Sequence, residues 1–281
     1  MNIAQIISAT EIGIFYALIA IAVFITLRII NFADMTVDGS FTLGAAVSAL
    51  MITSGTGATI AIFGALVAGG IAGSITGILN ARLKIQGLLA SILVMTALYS
   101  VNMRIMGKPN ISISGYDIFT GSNAMIICSA IVLVVIALIH RLFASQVGLA
   151  IRAVGINPKV CAAYGIEIGK MQIFTLALSN SIVSMCGALF AINQGFSDIS
   201  MGTGTIVSGL AAVIIGETIL GHKSILISLI ACTLGSILYR IGISLALSAS
   251  SLGMQASDIN IVTAIFVIIM MVVRTSTKRK V

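Results

Sequence analysis

Charge is scarce in this chain. Only 8% of its 281 residues are Asp, Glu, Lys or Arg, against 59% hydrophobic. With a mean hydropathy of +1.18, that balance excludes a soluble globular domain, which has no use for so much apolar surface. Cysteine is thin as well. Cys128, Cys161, Cys186 and Cys232 stand alone, with no CxxC spacing. They exclude a disulfide framework or a cysteine metal site and read as small apolar residues in or beside helices. His140 and His222 are single and fall at expected span ends, so no metal cluster can be assembled. The sequence has no Ser/His/Asp set, no paired catalytic carboxylates and no HExxH. It also lacks GxxxxGK(S/T): the nearest approach, GIEIGK at 165–170, has the wrong spacing and is followed by Met171. The chain is therefore expected to be no enzyme and to bind no ATP of its own. The first ten residues, MNIAQIISAT, lack a basic n-region, and no cleavable signal peptide is expected.

Long, continuous apolar runs are plentiful. They exclude a β-barrel, whose strands alternate, and predict an all-α polytopic membrane protein forming one transmembrane domain over 1–281. A span needs roughly 20 apolar residues. Spans are expected at 12–30, 37–53, 58–80, 86–103, 124–140, 172–192, 204–220, 224–247 and 259–273, about nine in all (eight to ten). The short seventh, flanked by Gly202, Gly204 and Gly221, reads as re-entrant or broken. Gly69, Gly73 and Gly77 in the third make a small-residue ridge for close helix packing. The net charge of +7 does not point to nucleic acid. Most of the excess lies at span ends and in the tail TSTKRKV, where it meets anionic lipid and orients the chain. A cytoplasmic C-terminus puts Arg28, Arg82, Lys84, Arg141, Arg152, Lys159, Lys170 and Lys223 inside, and an odd span count puts the N-terminus outside. GKPNISISGYDIFTGSN becomes the main external loop.

The longest polar interruption, RLFASQVGLAIRAVGINPKVCAAYGIEIGKM at 141–171, carries a compact helix signature. Asn157 suits the N-cap, Pro158 the first helical position and Gly165 the C-terminal stop. The bland alternative is an ordinary basic loop. Within or at the rims of apolar segments lie Asp34, Asp38, Asp198, Glu217, Arg240 and Asp258, each a candidate for a pathway or a structural pair. Arg240 is expected to pair with Asp198, Asp258 or both, and Glu217 to snorkel or cap Lys223. Asn31, Asn80, Asn102, Asn180, Asn193 and Gln194 read as interhelical hydrogen-bond partners or, at Asn31 and Asn193, as pathway groups. INFADMTVDGSFTLGAAVSAL at 30–50 resembles INQGFSDISMGTGTIVSGLAAV at 192–213. The two suggest an inverted-topology repeat, the alternative being chance likeness of two Gly/Ala-rich segments.

Three segments carry a family resemblance: GIFYALIAIAVFITLRIINFADMTVDGSFTLGAA, GLAIRAVGINPKVCAAYGI and NQGFSDISMGTGTIVSGLAAVIIGE. Through them the chain resembles the permease subunit of an ABC importer, of the group that includes branched-chain amino-acid and ribose permeases. The loop matches the family pattern through Gly148, Arg152, Ala153, Gly155, Asn157, Ala162, Gly165 and Ile166, the stretch that forms the family's ATPase-coupling helix. The resemblance implies the ABC importer permease fold in a cytoplasmic (inner) membrane. It also implies two copies of this chain, a cytosolic ATPase dimer carrying ATP and Mg, and an external binding (lipo)protein. NFADMTVDGSF and QGFSDISMGTG are similar to a subgroup linked to aromatic amino acids and other small organic solutes. The competing readings are an ion-coupled secondary transporter and a membrane-embedded enzyme.

Overall fold

The apolar run between Glu11 and Arg28 forms helix α1 (Ile3–Phe24) and its π-helical continuation Ile25–Ile29. The computed structural model describes residues 3–113, 123–221 and 224–248, with single helical positions at 261, 264, 265 and 268. After α1 come α2 (Thr36–Thr53), α3 (Ala58–Ala81), α4 (Gly87–Met106), strand β1 (Asn110–Ser112) and α5 (Asn123–Ala144). Two short helices follow, α6 (Gln146–Ile156) and α7 (Pro158–Ala163). Then come α8 (Ile168–Gln194), strand β2 (Phe196–Asp198), α9 (Thr205–Leu220) and α10 (Ile225–Ser248). Among the described residues, seven helices are long and apolar enough to cross a membrane: α1 with its π segment, α2, α3, α4, α5, α8 and α10. At 16 residues, α9 is apolar but shorter. The span expected at 259–273 lies almost wholly outside the described residues.

α1 is the axis of the bundle, with Phe15 and Ala17–Ile21 essentially inaccessible. In lipid the hydrophobic effect does not drive one helix onto another; close packing and interhelical hydrogen bonds do. Both are visible. The hydroxyls of Ser236 and Ser179 donate to the carbonyls of Gly13 (2.7 Å) and Ala22 (3.1 Å) on α1. Ser184 Oγ donates to Ala65 O at 2.7 Å, tying α8 to α3. The α3 ridge faces α8, and a Cβ on Gly73 would collide with the Leu176 carbonyl. The outward faces of α3, α4 and α5 carry exposed Phe63, Ile71, Leu93, Leu133 and Leu138, the surface a lipid solvent calls for.

The bundle has two distinct ends. At one, α1, α3 and α5 finish and α4 and α8 begin, and Arg28, Arg82, Lys84, Arg141, Arg152, Lys159 and Lys170 gather there. At the other, β1 pairs antiparallel with β2 (Asn110 opposite Asp198), a ribbon that the sequence pattern does not signal. The two repeat-like motifs sit at opposite ends. Ser91, near the start of α4, donates to Ala33 O at 3.4 Å, while Asp198 meets Asn110 just beyond the end of α4. Asp34 is buried and Asp198 half-buried in the ribbon.

Candidate functional site

At the basic end, Ser145 caps α6, its hydroxyl accepting from Gly148 N at 3.4 Å. α6 buries Gly148, Ile151 and Val154. Asn157 then caps α7: its side-chain oxygen accepts from Val160 N at 3.2 Å, with Pro158 in the first turn. Gly165, at φ 78°, ends the turn in a conformation that glycine takes without strain. Of α7 itself only Cys161 is buried. Ala162 and Ala163 are exposed, and around them Ile156 is 86% and Tyr164 82% exposed, with Val160 beside them. An apolar, rigid knob thus stands clear of the bundle. Ala153, Ile166 and Arg152 are half-buried at its base.

The knob is fixed to α1. Asn31 Nδ2 donates to Gly155 O at 2.9 Å, and a Cβ on Gly155 would strike the Ile29 carbonyl. One turn earlier, Arg28 reaches Glu217 near the end of α9. Nε donates to Oε1 at 2.7 Å and Nη2 to Oε2 at 2.6 Å, in bidentate geometry. The Glu217 side chain is 3% exposed and that of Arg28 36%. Glu217 therefore takes the distant Arg28, which the sequence reading treated only as an orienting charge. Lys223, its expected neighbour, lies outside the described residues.

The other end of α9 begins deep in the bundle. Tyr16 is the midpoint of Ile3–Ile29, about 20 Å from either end at 1.5 Å per residue. The first turn of α9 shares a cavity with Tyr16, and Gly209 packs against Ile19 and Val23. The expected break before 204–220 is thus a chain of turns, 199–204, that descends from the ribbon to mid-depth. Asp38 receives it. Its carboxylate accepts from Gly204 N (3.0 Å), Ile206 N (2.8 Å) and Thr205 Oγ1 (2.8 Å). A side chain in the first turn of α2 thereby caps α9 and satisfies the exposed donors of a helix N-terminus inside the membrane. Gly202 N donates to Thr42 Oγ1 at 3.1 Å and completes the cradle.

Beside this N-terminus is a cavity of about 400 Å³. Tyr16 of α1 and Tyr239 and Arg240 of α10 line it together with Thr203, Gly204, Thr205 and Ser208 at the start of α9. The Arg240 guanidinium lies over the Tyr16 ring, 3.7 Å from its centroid, a contact worth about 0.5–2 kcal/mol. The expected Arg240–Asp198 pair does not form. Asp198 is at the ribbon end, where Ser200 N (2.8 Å), the Ser200 hydroxyl and Asn110 Nδ2 (3.4 Å) donate to it, whereas Arg240 sits at mid-depth. The Ser200 hydroxyl and N–H hold the Asp198 carboxyl below the usual range. Asp258 lies outside the described residues. Asp34 is buried between α2 and α8, where Thr36 N (3.0 Å) and Asn180 Nδ2 (2.7 Å) donate to it. Asn193 is half-buried at the ribbon end of α8. The sequence-predicted residues thus separate into the knob, the α9 cradle and cavity, and the ribbon.

A helical bundle with irregular backbone at mid-depth beside a polar cavity is the build of a membrane transport protein. The chain belongs to the permease family described as branched-chain amino acid transport system / permease component, whose model matches residues 5–274. A tyrosine transport system permease protein of Clostridioides difficile is 37% identical over 265 residues, covering 94% of this chain and 89% of the relative. The ribose import permease protein RbsC of Escherichia coli is 25% identical over 229 residues, covering 77% and 69%. In fold the chain is similar to a solved structure of PsaBC from Streptococcus pneumoniae, with a TM-score of 0.55 over 96% of this chain and 95% of that one, at 16% identity.

Proposed function

We propose that this chain is the membrane subunit of an ATP-driven importer for a small organic solute, an amino acid of the aromatic type favoured. Two copies work with a cytosolic ATPase dimer, which binds ATP and Mg, and with an external binding (lipo)protein. The basic end faces the cytosol by the positive-inside rule, which puts the ribbon outside. The observation that carries the reading is the knob at 156–164: capped at Asn157, apolar, exposed, and clamped to the end of α1. A partner groove that closes on it moves a rigid body. The contact chain then runs from Gly155 to Ile29 and Asn31, through Arg28–Glu217, and up α9 to the cradle at Asp38. Family membership and the tyrosine permease relative support the amino-acid class.

The buried carboxylates that an ion-coupled carrier would use to take up a proton or Na⁺ are engaged in this fold. Asp34, Asp38 and Glu217 are each held by specific donors. The test is reconstitution of the purified chain in liposomes with its ATPase and loaded binding protein, with tyrosine as solute. Uptake should require all three and ATP hydrolysis, and should survive an ionophore. Uptake by the chain alone, or its collapse with the ionophore, would refute the importer reading.

A further inference from the structure

Thr203 and Gly204 are exposed, irregular backbone at the depth of Tyr16. Such backbone does not face lipid; at that depth it is buried in protein or lines a water-filled cavity. The space it borders is the 400 Å³ cavity, within the range of about 300–1,000 Å³ that small-molecule sites occupy. Its chemistry is one-sided. The α9 N-terminus is already neutralised by Asp38. The remaining formal charge on the described lining is Arg240, and no carboxylate lines the cavity among the described residues. Arg240 Nε is buried and has no hydrogen-bond partner among the described residues. A guanidinium at mid-depth is costly without an anion or water, and such residues mark solute pathways. Tyr16 and Tyr239 add aromatic wall, and Thr205 and Ser208 add hydroxyls.

We propose that this cavity is a transit site for the carboxylate end of the solute, received by Arg240 while the aromatic wall lies against its side chain. The proposal rests on the reading above only for the amino-acid class of solute. A planar guanidinium takes a carboxylate through two parallel N–H bonds, and the Tyr16 ring lies against one of its faces. No covalent step is involved.

The test uses the full chain in lipid nanodiscs, with Cys128, Cys161, Cys186 and Cys232 replaced and Thr203→Cys introduced, and reads the labelling rate with a water-soluble thiol reagent. Thr203→Cys should label readily. Tyrosine should slow labelling at concentrations at least about tenfold below those needed by tyramine, which lacks the carboxylate. Arg240→Gln should abolish that difference, protection being read in each variant against its own ligand-free labelling rate. Arg240→Lys, offering a point charge in place of the fork, should keep part of it. Failure of Thr203→Cys to label, equal protection by tyrosine and tyramine, or undiminished discrimination in Arg240→Gln would each overturn the proposal. No ATPase or ATP enters the assay, so its failure is distinct from failure of the importer reading.

Discussion

Removing Glu217 should detach the basic end of α9 from α1 and cost both stability and coupling. The carboxylate is 3% exposed and receives two charge-assisted bonds from Arg28, at 2.7 and 2.6 Å. Breaking a fully buried pair by deleting one partner costs about 3–5 kcal/mol. Arg28 is 36% exposed, so water and headgroups can take up part of its charge, and we expect about 2–3 kcal/mol for Glu217→Gln. The assay is reversible unfolding in mixed micelles for wild type, Arg28→Gln, Glu217→Gln and the double variant. The coupling energy should reach about 2 kcal/mol, well above the roughly 0.3–0.5 kcal/mol within which independent sites add. In proteoliposomes the same variants should hydrolyse ATP with reduced uptake, because the knob still docks but α9 no longer follows α1. Additive stabilities together with normal uptake per ATP would refute the reasoning.

The Asp38 cradle gives a graded expectation. Asp38→Ala strips the α9 N-terminus of its cap and should cost at least the 1–2 kcal/mol typical of cap loss. Asp38→Asn keeps an acceptor and should cost less, and thermal unfolding that ranked them the other way would contradict the cap. For orientation, Tyr164→Cys should be protected from an impermeant thiol reagent on intact cells and Asn110→Cys labelled; the reverse would invert the assignment of ends. At the ribbon, Asp198 is an ordinary depressed carboxylate. Its contribution should be full above its unfolded value of 3.8 and lost as pH falls through the lower folded one. The stability difference between wild type and Asp198→Asn should therefore vanish only below about pH 3.8, and a difference that faded near neutrality would be wrong for this site.

What could be read from the sequence was local. Seven of the expected spans followed from apolar run length, and α7 from Asn157 and Pro158, because caps act over three or four residues. What could not be read was long-range. Arg28 and Glu217 are 189 residues apart, and the sequence offered Lys223 as the nearer cation. Arg240 was matched to carboxylates because ion pairing is the usual rescue of a membrane arginine. Its partner ring, Tyr16, gave no signal within an apolar run. Gly202 and Gly204 announced a break before α9, but only packing against Asp38 and Tyr16 set its depth. The π turn at Ile25–Ile29 and the β ribbon had no pattern long enough to detect.

The account stands most directly on one residue of the knob. Ala162 is exposed on α7, where a small side chain permits close approach by a partner. Ala162→Glu adds charge and bulk there while leaving the Asn157 cap, the clamp at Gly155 and the spans untouched. The measurement is ATP-driven tyrosine uptake, with co-purification of the ATPase, in proteoliposomes of Ala162→Glu beside wild type. The prediction is a stably inserted permease that loses its ATPase, or keeps it and hydrolyses ATP without uptake. Normal co-purification and normal uptake would contradict the coupling role of this helix and with it the functional reading.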